Sequence, residues 1–137
     1  MNTNFKSSLH HIGIIVPDRR HVDFLNGILG LETGEPVYVP EYEADCIFTS
    51  KNSSNIEFVI PRENSKLSNF NKGMGGLHHI ALEVDDILDV SGQLAEEGID
   101  LLEDKPVQAG QLLINFLHPA ETRGFIVEFV QVIVEDR

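Results

Sequence analysis

Two stretches of the chain share one polarity pattern. Leu9–Asp18 reads LHHIGIIVPD and Leu77–Asp86 reads LHHIALEVDD, an offset of 68 positions. Each opens with two histidines and continues as an apolar run of strand length. An aspartate closes each run, Asp18 and Asp86, and a glycine follows twelve residues later, Gly30 and Gly98. Aspartate is a preferred helix N-cap and glycine a preferred stop, so both copies predict a strand and then a helix of about three turns. Apolar residues at helical spacing mark the expected buried faces: Val22, Leu25, Ile28 and Leu29 in the first copy, Ile87, Val90, Leu94 and Ala95 in the second. Gly27 and Gly92 weaken these helices by roughly 1 kcal/mol each relative to alanine.

Three short strands are expected after each helix. The first set covers Glu32–Val39, Ala44–Thr49 and Asn55–Ile60; the second covers Ile99–Glu103, Leu112–Leu117 and Phe125–Ile133. The last strands repeat as IEFV (Ile56–Val59) and VEFV (Val127–Val130), now at an offset of 71. Such drift is an ordinary loop insertion. Between the copies runs PRENSKLSNFNKGMGG, rich in turn-forming residues. The expected fold is therefore α+β: one domain over residues 1–137, made of two tandem βαβββ modules at about 9–61 and 77–134, with a linker at 62–76.

Strand alternation separates the two histidines of each pair. His10, Ile12, Ile14 and Val16 share one face, which should lie under the helix. His11, Gly13 and Ile15 share the other. In the second copy His78, Ile80, Leu82 and Val84 oppose His79, Ala81 and Glu83. A glycine or alanine beside the imidazole leaves room, so His11 and His79 look into open space while His10 and His78 pack.

The final strands each hold one carboxylate among apolar neighbours, Glu57 and Glu128. Burying such a group without a partner costs several kcal/mol. Lysine and arginine are absent from all four strands, which makes a metal cation the economical partner. Two imidazoles and two carboxylates suit a divalent ion that tolerates six-coordination: Co, Ni, Mn, Fe or Zn. A histidine at a strand start is usually a packing or capping residue, and a strand glutamate usually faces water. Duplication of both in matching places favours ligation over those readings.

Composition narrows the partners. With 42% hydrophobic and 23% charged residues the chain is an ordinary globular one. A net charge of −12, with ten lysines and arginines scattered along the chain, argues against nucleic acid. It leaves room for an anionic small molecule. Cys46 is the single cysteine, so no intrachain disulfide forms and a cytoplasmic location is expected. No apolar leader and no window of membrane-span length occur, so neither export nor a membrane partner is expected.

These motifs resemble the vicinal-oxygen-chelate superfamily, the glyoxalase and bleomycin-resistance fold of paired βαβββ modules that form an open barrel. Within it, LHHIGIIVPD, GLHHIALEVDDI, GIDLLEDKP and INFLHPAETRGFIVEFVQ most resemble methylmalonyl-CoA epimerases, the last motif being the most specific. The resemblance implies a divalent metal held by His11, His79 and Glu128, with Glu57 in the place of a fourth ligand that is Gln or Glu. It implies an acyl-CoA or similar carbonyl substrate, a Lewis-acid metal, and removal of the proton alpha to a thioester carbonyl. Glu128 is the first candidate for that proton transfer, because a ligand carboxylate can swing off the metal. Epimerisation also needs a second acid or base. Aligning the family's PEQGVVE-like segment on PEYEADC puts Cys46 where a glutamate is common, with Glu41, Glu43 and Asp45 nearby. A thiol can accept or return a proton, although a buried cysteine is more commonly a packing residue.

The loop VQAGQLLINF has one glycine where the family has more, and Arg62, Lys66, Lys72, Lys105 and Arg123 are the cations open to CoA phosphates. His118, in FLHPA, reads as a turn residue, and His21 as solvent-facing. A glyoxalase I-like isomerase uses the same donor set. A ring-cleaving dioxygenase uses two His and one Glu in one module, and a bleomycin-type binder uses an aromatic cleft that a chain without tryptophan supplies poorly. Open sheet edges lead us to expect a homodimer.

Overall fold

Asp18 and Asp86 both cap helices, and this capping fixes where each module turns from strand to helix. The computed structural model describes residues 3–50 and 54–133. They divide into two compact units: His11–His78, and the residues up to His10 together with those from His79 onward.

In the first unit, β1 (Ser8–Ile15) leads into α1 (Arg19–Leu29). The Asp18 carboxylate accepts from the His21 backbone N–H, and Gly30, at φ 68°, ends the helix. Then come β2 (Val37–Val39), β3 (Ala44–Phe48) and β4 (Ile56–Pro61). The strand order is β2-β3-β4-β1, with β1 and β4 parallel and the other pairs antiparallel. Under α1, Val22 packs with Val16, Ile47 and Phe58, flanked by Ile14, Leu25 and Ile60. Phe58 and Ile47 are fully buried and each contributes about 1.5–3 kcal/mol by leaving water. The expected apolar face of α1 is only half used. Ile28 and Leu29 are 60% and 57% exposed, while Val22 and Leu25 pack against the sheet.

A 3-10 segment over Lys66–Gly73 lies within the stretch expected to be a plain linker. Its exit depends on Gly75, which sits at φ 73° beside the end of β1. A Cβ there would stand 2.4 Å from the Ile15 carbonyl oxygen.

The second unit repeats the plan: β5 (Gly76–Glu83), α2 (Ile87–Glu96), β6 (Val107–Ala109), β7 (Leu112–Leu117), a short α3 (Pro119–Thr122) and β8 (Ile126–Val132). Its order is β5-β8-β7-β6, with β5 and β8 parallel. Ile87, Val90 and Leu94 of α2 pack with Val84, Val127 and Phe129, while Ala95 is exposed. The Asp86 carboxylate accepts from the N–H groups of Leu88 and Asp89, and Gly98 follows at φ 81°.

One strand falls elsewhere than its sequence suggests. Ile99–Glu103 makes only a single bridge, Leu101 to Leu117, and the second strand of this module is Val107–Ala109. The cause is Asn115, whose amide takes over the backbone pairing. Its Oδ1 accepts from Glu103 N–H at 3.0 Å and its Nδ2 donates to Glu103 C=O at 2.9 Å. The corresponding residue of the first module is the apolar Ile47, which packs under α1 instead. The sequence-expected end of module two, residue 134, lies outside the described residues.

Candidate active site

Alternation along β1 and β4 puts His11, Gly13 and Ile15 on the same sheet face as Glu57 and Val59. In the parallel register Gly13 stands across from Glu57, so β1 places no side chain directly opposite the carboxylate. His11 Nε2 lies 3.5 Å from Glu57 Oε1, with side chains 2% and 6% exposed. The second unit builds the same arrangement. Ala81 stands across from Glu128, and His79 Nε2 lies 3.8 Å from Glu128 Oε1 with both side chains 3% exposed. His10 and His78 are only partly buried, on the opposite faces; His78 packs edge-on against Phe70.

Both separations exceed the 2.7–2.9 Å of a charge-assisted hydrogen bond. They fall inside the span of about 4 Å available to two donors that each bond one ion at about 2.0–2.2 Å. Imidazole nitrogen and carboxylate oxygen, buried and held apart by that interval, are a donor set that fits a divalent metal.

Cys46 shares the Glu57 face of its sheet, because it pairs with Val59, two residues beyond Glu57. It is 2% exposed and packs with Ile15, Ala44 and Val59, flanked by Tyr42, Leu67 and Phe70. Ile15, Leu67 and Phe70 also line a half-open cavity of about 150 Å³ at the ends of β1 and β4. In the second module Ile114 occupies the matching register position, across from Val130. Asp45 points the other way and is engaged by Arg62, whose guanidinium donates to it at 2.8 Å and lies over the Tyr38 ring. That hydrogen bond, and the charge behind it, raise the Arg62 pKa. His118 caps α3, its Nδ1 accepting from Ala120 N–H at 3.1 Å, and His21 is exposed.

The sequence profile of the glyoxalase/bleomycin resistance protein/dioxygenase superfamily matches residues 10–117. The chain belongs to this superfamily. Among its relatives, the mitochondrial methylmalonyl-CoA epimerase of Bos taurus is 34% identical over 90% of this chain and 73% of its own. The ethylmalonyl-CoA/methylmalonyl-CoA epimerase of Cereibacter sphaeroides is 35% identical over 90% of this chain and 97% of its own. A solved methylmalonyl-CoA epimerase in complex with methylmalonyl-CoA and NH4+ superposes with a TM-score of 0.80 at 25% identity, covering 92% of this chain and 94% of that one. The α+β fold of paired βαβββ modules is thus that of the vicinal-oxygen-chelate superfamily.

In this superfamily member the ladders bring up two side chains that polarity alternation does not single out. Phe48 stands directly across from Glu57, and Phe116 directly across from Glu128. The signal that finds them in the sequence is the offset of 68 that relates the histidines.

Proposed function

We propose that the protein is a metal-dependent epimerase of 2-alkylmalonyl-CoA thioesters, methylmalonyl-CoA being the reference substrate. The observation that carries this reading is the duplicated, buried His–Glu pair, in a chain whose relatives bear the name of such epimerases. We assign His11, Glu57, His79 and Glu128 as ligands of one divalent ion, drawn from Co, Ni, Mn, Fe and Zn. His11, Glu57 and His79 are buried donors of the types that hold a metal ion. When bound, such an ion supplies Lewis acidity to a substrate carbonyl.

The chain's own residues then have two tasks. Glu128, buried within β8, takes the proton alpha to the thioester carbonyl. A second group returns a proton on the opposite face, and we assign this to the Cys46 thiol, which shares the Glu57 face and packs against Ile15. Gly13 and Ala81, across from the two glutamates, place no bulky side chain opposite the carboxylates on the neighbouring strand.

The deciding experiment incubates metal-loaded protein with (2R)- or (2S)-methylmalonyl-CoA in deuterated water. Deuterium enters the alpha position if the reading holds; its absence overturns it. A glyoxalase I-like isomerase is the second reading, favoured by the identical donor set, and turnover of the glutathione–methylglyoxal hemithioacetal without alpha exchange on methylmalonyl-CoA would select it.

We assign a homodimer because β2 and β6 stand at the ends of their ladders and need cover. A monomer in sedimentation analysis overturns that assignment. Among the described residues no helix is long and apolar enough to cross a membrane. The lone thiol suits a reducing compartment, and we place the enzyme in the cytoplasm.

A further inference from the structure

We propose that Phe48 is a positioning residue for the His11 imidazole. The two rings meet with centroids 5.2 Å apart and planes at 88°, the edge-to-face arrangement that aromatic quadrupoles favour. Register accounts for the contact. Phe48 lies across the β3–β4 ladder from Glu57, and Glu57 lies across the β4–β1 ladder from Gly13. The glycine leaves that row without a third side chain, so the Phe48 ring can cross diagonally to the imidazole two residues before it. Phe48 is 38% exposed while His11 is 2% exposed, so the phenyl ring is the outer member of the pair and shields the inner one.

An imidazole donor works only when its ring plane aims the nitrogen lone pair at the ion, and a packed aromatic edge restricts that rotation. The second module repeats the register, with Phe116 across from Glu128. Two modules that differ at Ile47 and Asn115, and at Cys46 and Ile114, both keep phenylalanine opposite the glutamate.

This inference rests on the epimerase reading only in taking His11 as a metal donor. The test titrates wild type, Phe48→Tyr and Phe48→Leu with Co²⁺ alone, following the visible ligand-field bands. Phe48→Tyr keeps the ring and the wild-type affinity, whereas Phe48→Leu binds about three- to tenfold more weakly, the factor an edge-to-face aromatic pair contributes. In the metal-free proteins, NMR of the His11 ring protons reports the same contact. Their ring-current displacement persists in Phe48→Tyr and collapses in Phe48→Leu. Wild type that binds Co²⁺ while Phe48→Leu binds it equally well overturns the positioning role and leaves the epimerase reading standing. Wild type that binds no Co²⁺ overturns both. Should Phe48→Leu not fold, wild type decides alone: cross-relaxation between the His11 and Phe48 rings that survives Zn²⁺ addition supports the role, and its loss on Zn²⁺ addition overturns it.

Discussion

His79 Nε2 and Glu128 Oε1 lie 3.8 Å apart, each side chain 3% exposed, on neighbouring parallel strands. The pair is too long for a direct hydrogen bond and too buried for a solvated carboxylate. An interior carboxylate held just short of hydrogen-bonding distance from an imidazole can bind an ion and can also take a proton. Glu128→Gln keeps the shape and removes the basicity. Alpha-deuterium incorporation into methylmalonyl-CoA should fall by about 10²–10⁴, the usual contribution of a positioned base. Incorporation at the wild-type rate would clear Glu128 of that role.

Metal removal should lower stability as well as activity. A ligand present at a hundred times its Kd stabilises the native state by about 2.7 kcal/mol. For a chain of this size that corresponds to a Tm drop on the order of 5–10 °C on chelation. Glu57→Gln should show a much smaller drop, since the site it tests is already weakened. Calorimetry with and without EDTA checks both, and an unchanged Tm in wild type would count against a resident ion.

Cys46 separates two halves of the reaction. If its thiol returns the proton on the far face, Cys46→Ala should still exchange the alpha hydrogen of one enantiomer while inverting it far more slowly. Chiral analysis of the labelled thioester measures the ratio. Inversion at the wild-type rate would reduce Cys46 to a packing residue beside Ile15 and Val59.

Asn115 should matter to stability and little to the metal. Asn115→Leu leaves Glu103 N–H and C=O and the Phe116 N–H without their side-chain partner. At about 1 kcal/mol per hydrogen bond, more where the orphaned group stays buried, the cost is about 2–4 kcal/mol. Urea denaturation should show the shift, and Co²⁺ affinity should stay at the wild-type value.

Gly75→Ala should also destabilise, because its Cβ would meet the Ile15 carbonyl oxygen at 2.4 Å on a backbone with φ 73°. A loss of about 1–3 kcal/mol is expected from strain of this kind. A melting temperature equal to that of wild type would mean that the 66–75 segment shifts freely.

Much of this was legible in one dimension, for reasons that can be stated residue by residue. Strand period assigned His11 and His79 to the face opposite His10 and His78, because side-chain direction in a strand follows from position alone. Asp18, Gly30, Asp86 and Gly98 set the helix limits through local backbone chemistry. The carboxylates of Glu57 and Glu128 stood out because a charge among apolar neighbours needs a partner.

Other features depend on which strand lies beside which. Asn115 displaces a strand from Ile99–Glu103 through hydrogen bonds to a backbone twelve residues away. Ile28 and Leu29 share the apolar periodicity of Val22 and Leu25 yet stay exposed. The pairing of Phe48 with Glu57, and its contact with His11, follows from ladder register. The sequence by itself determined the repeat, the two sheet faces and the donor types, since these depend on short-range period and charge. Only the tertiary structure decided the distances within each donor pair and the rings that flank them, because register and packing join residues that the chain keeps far apart.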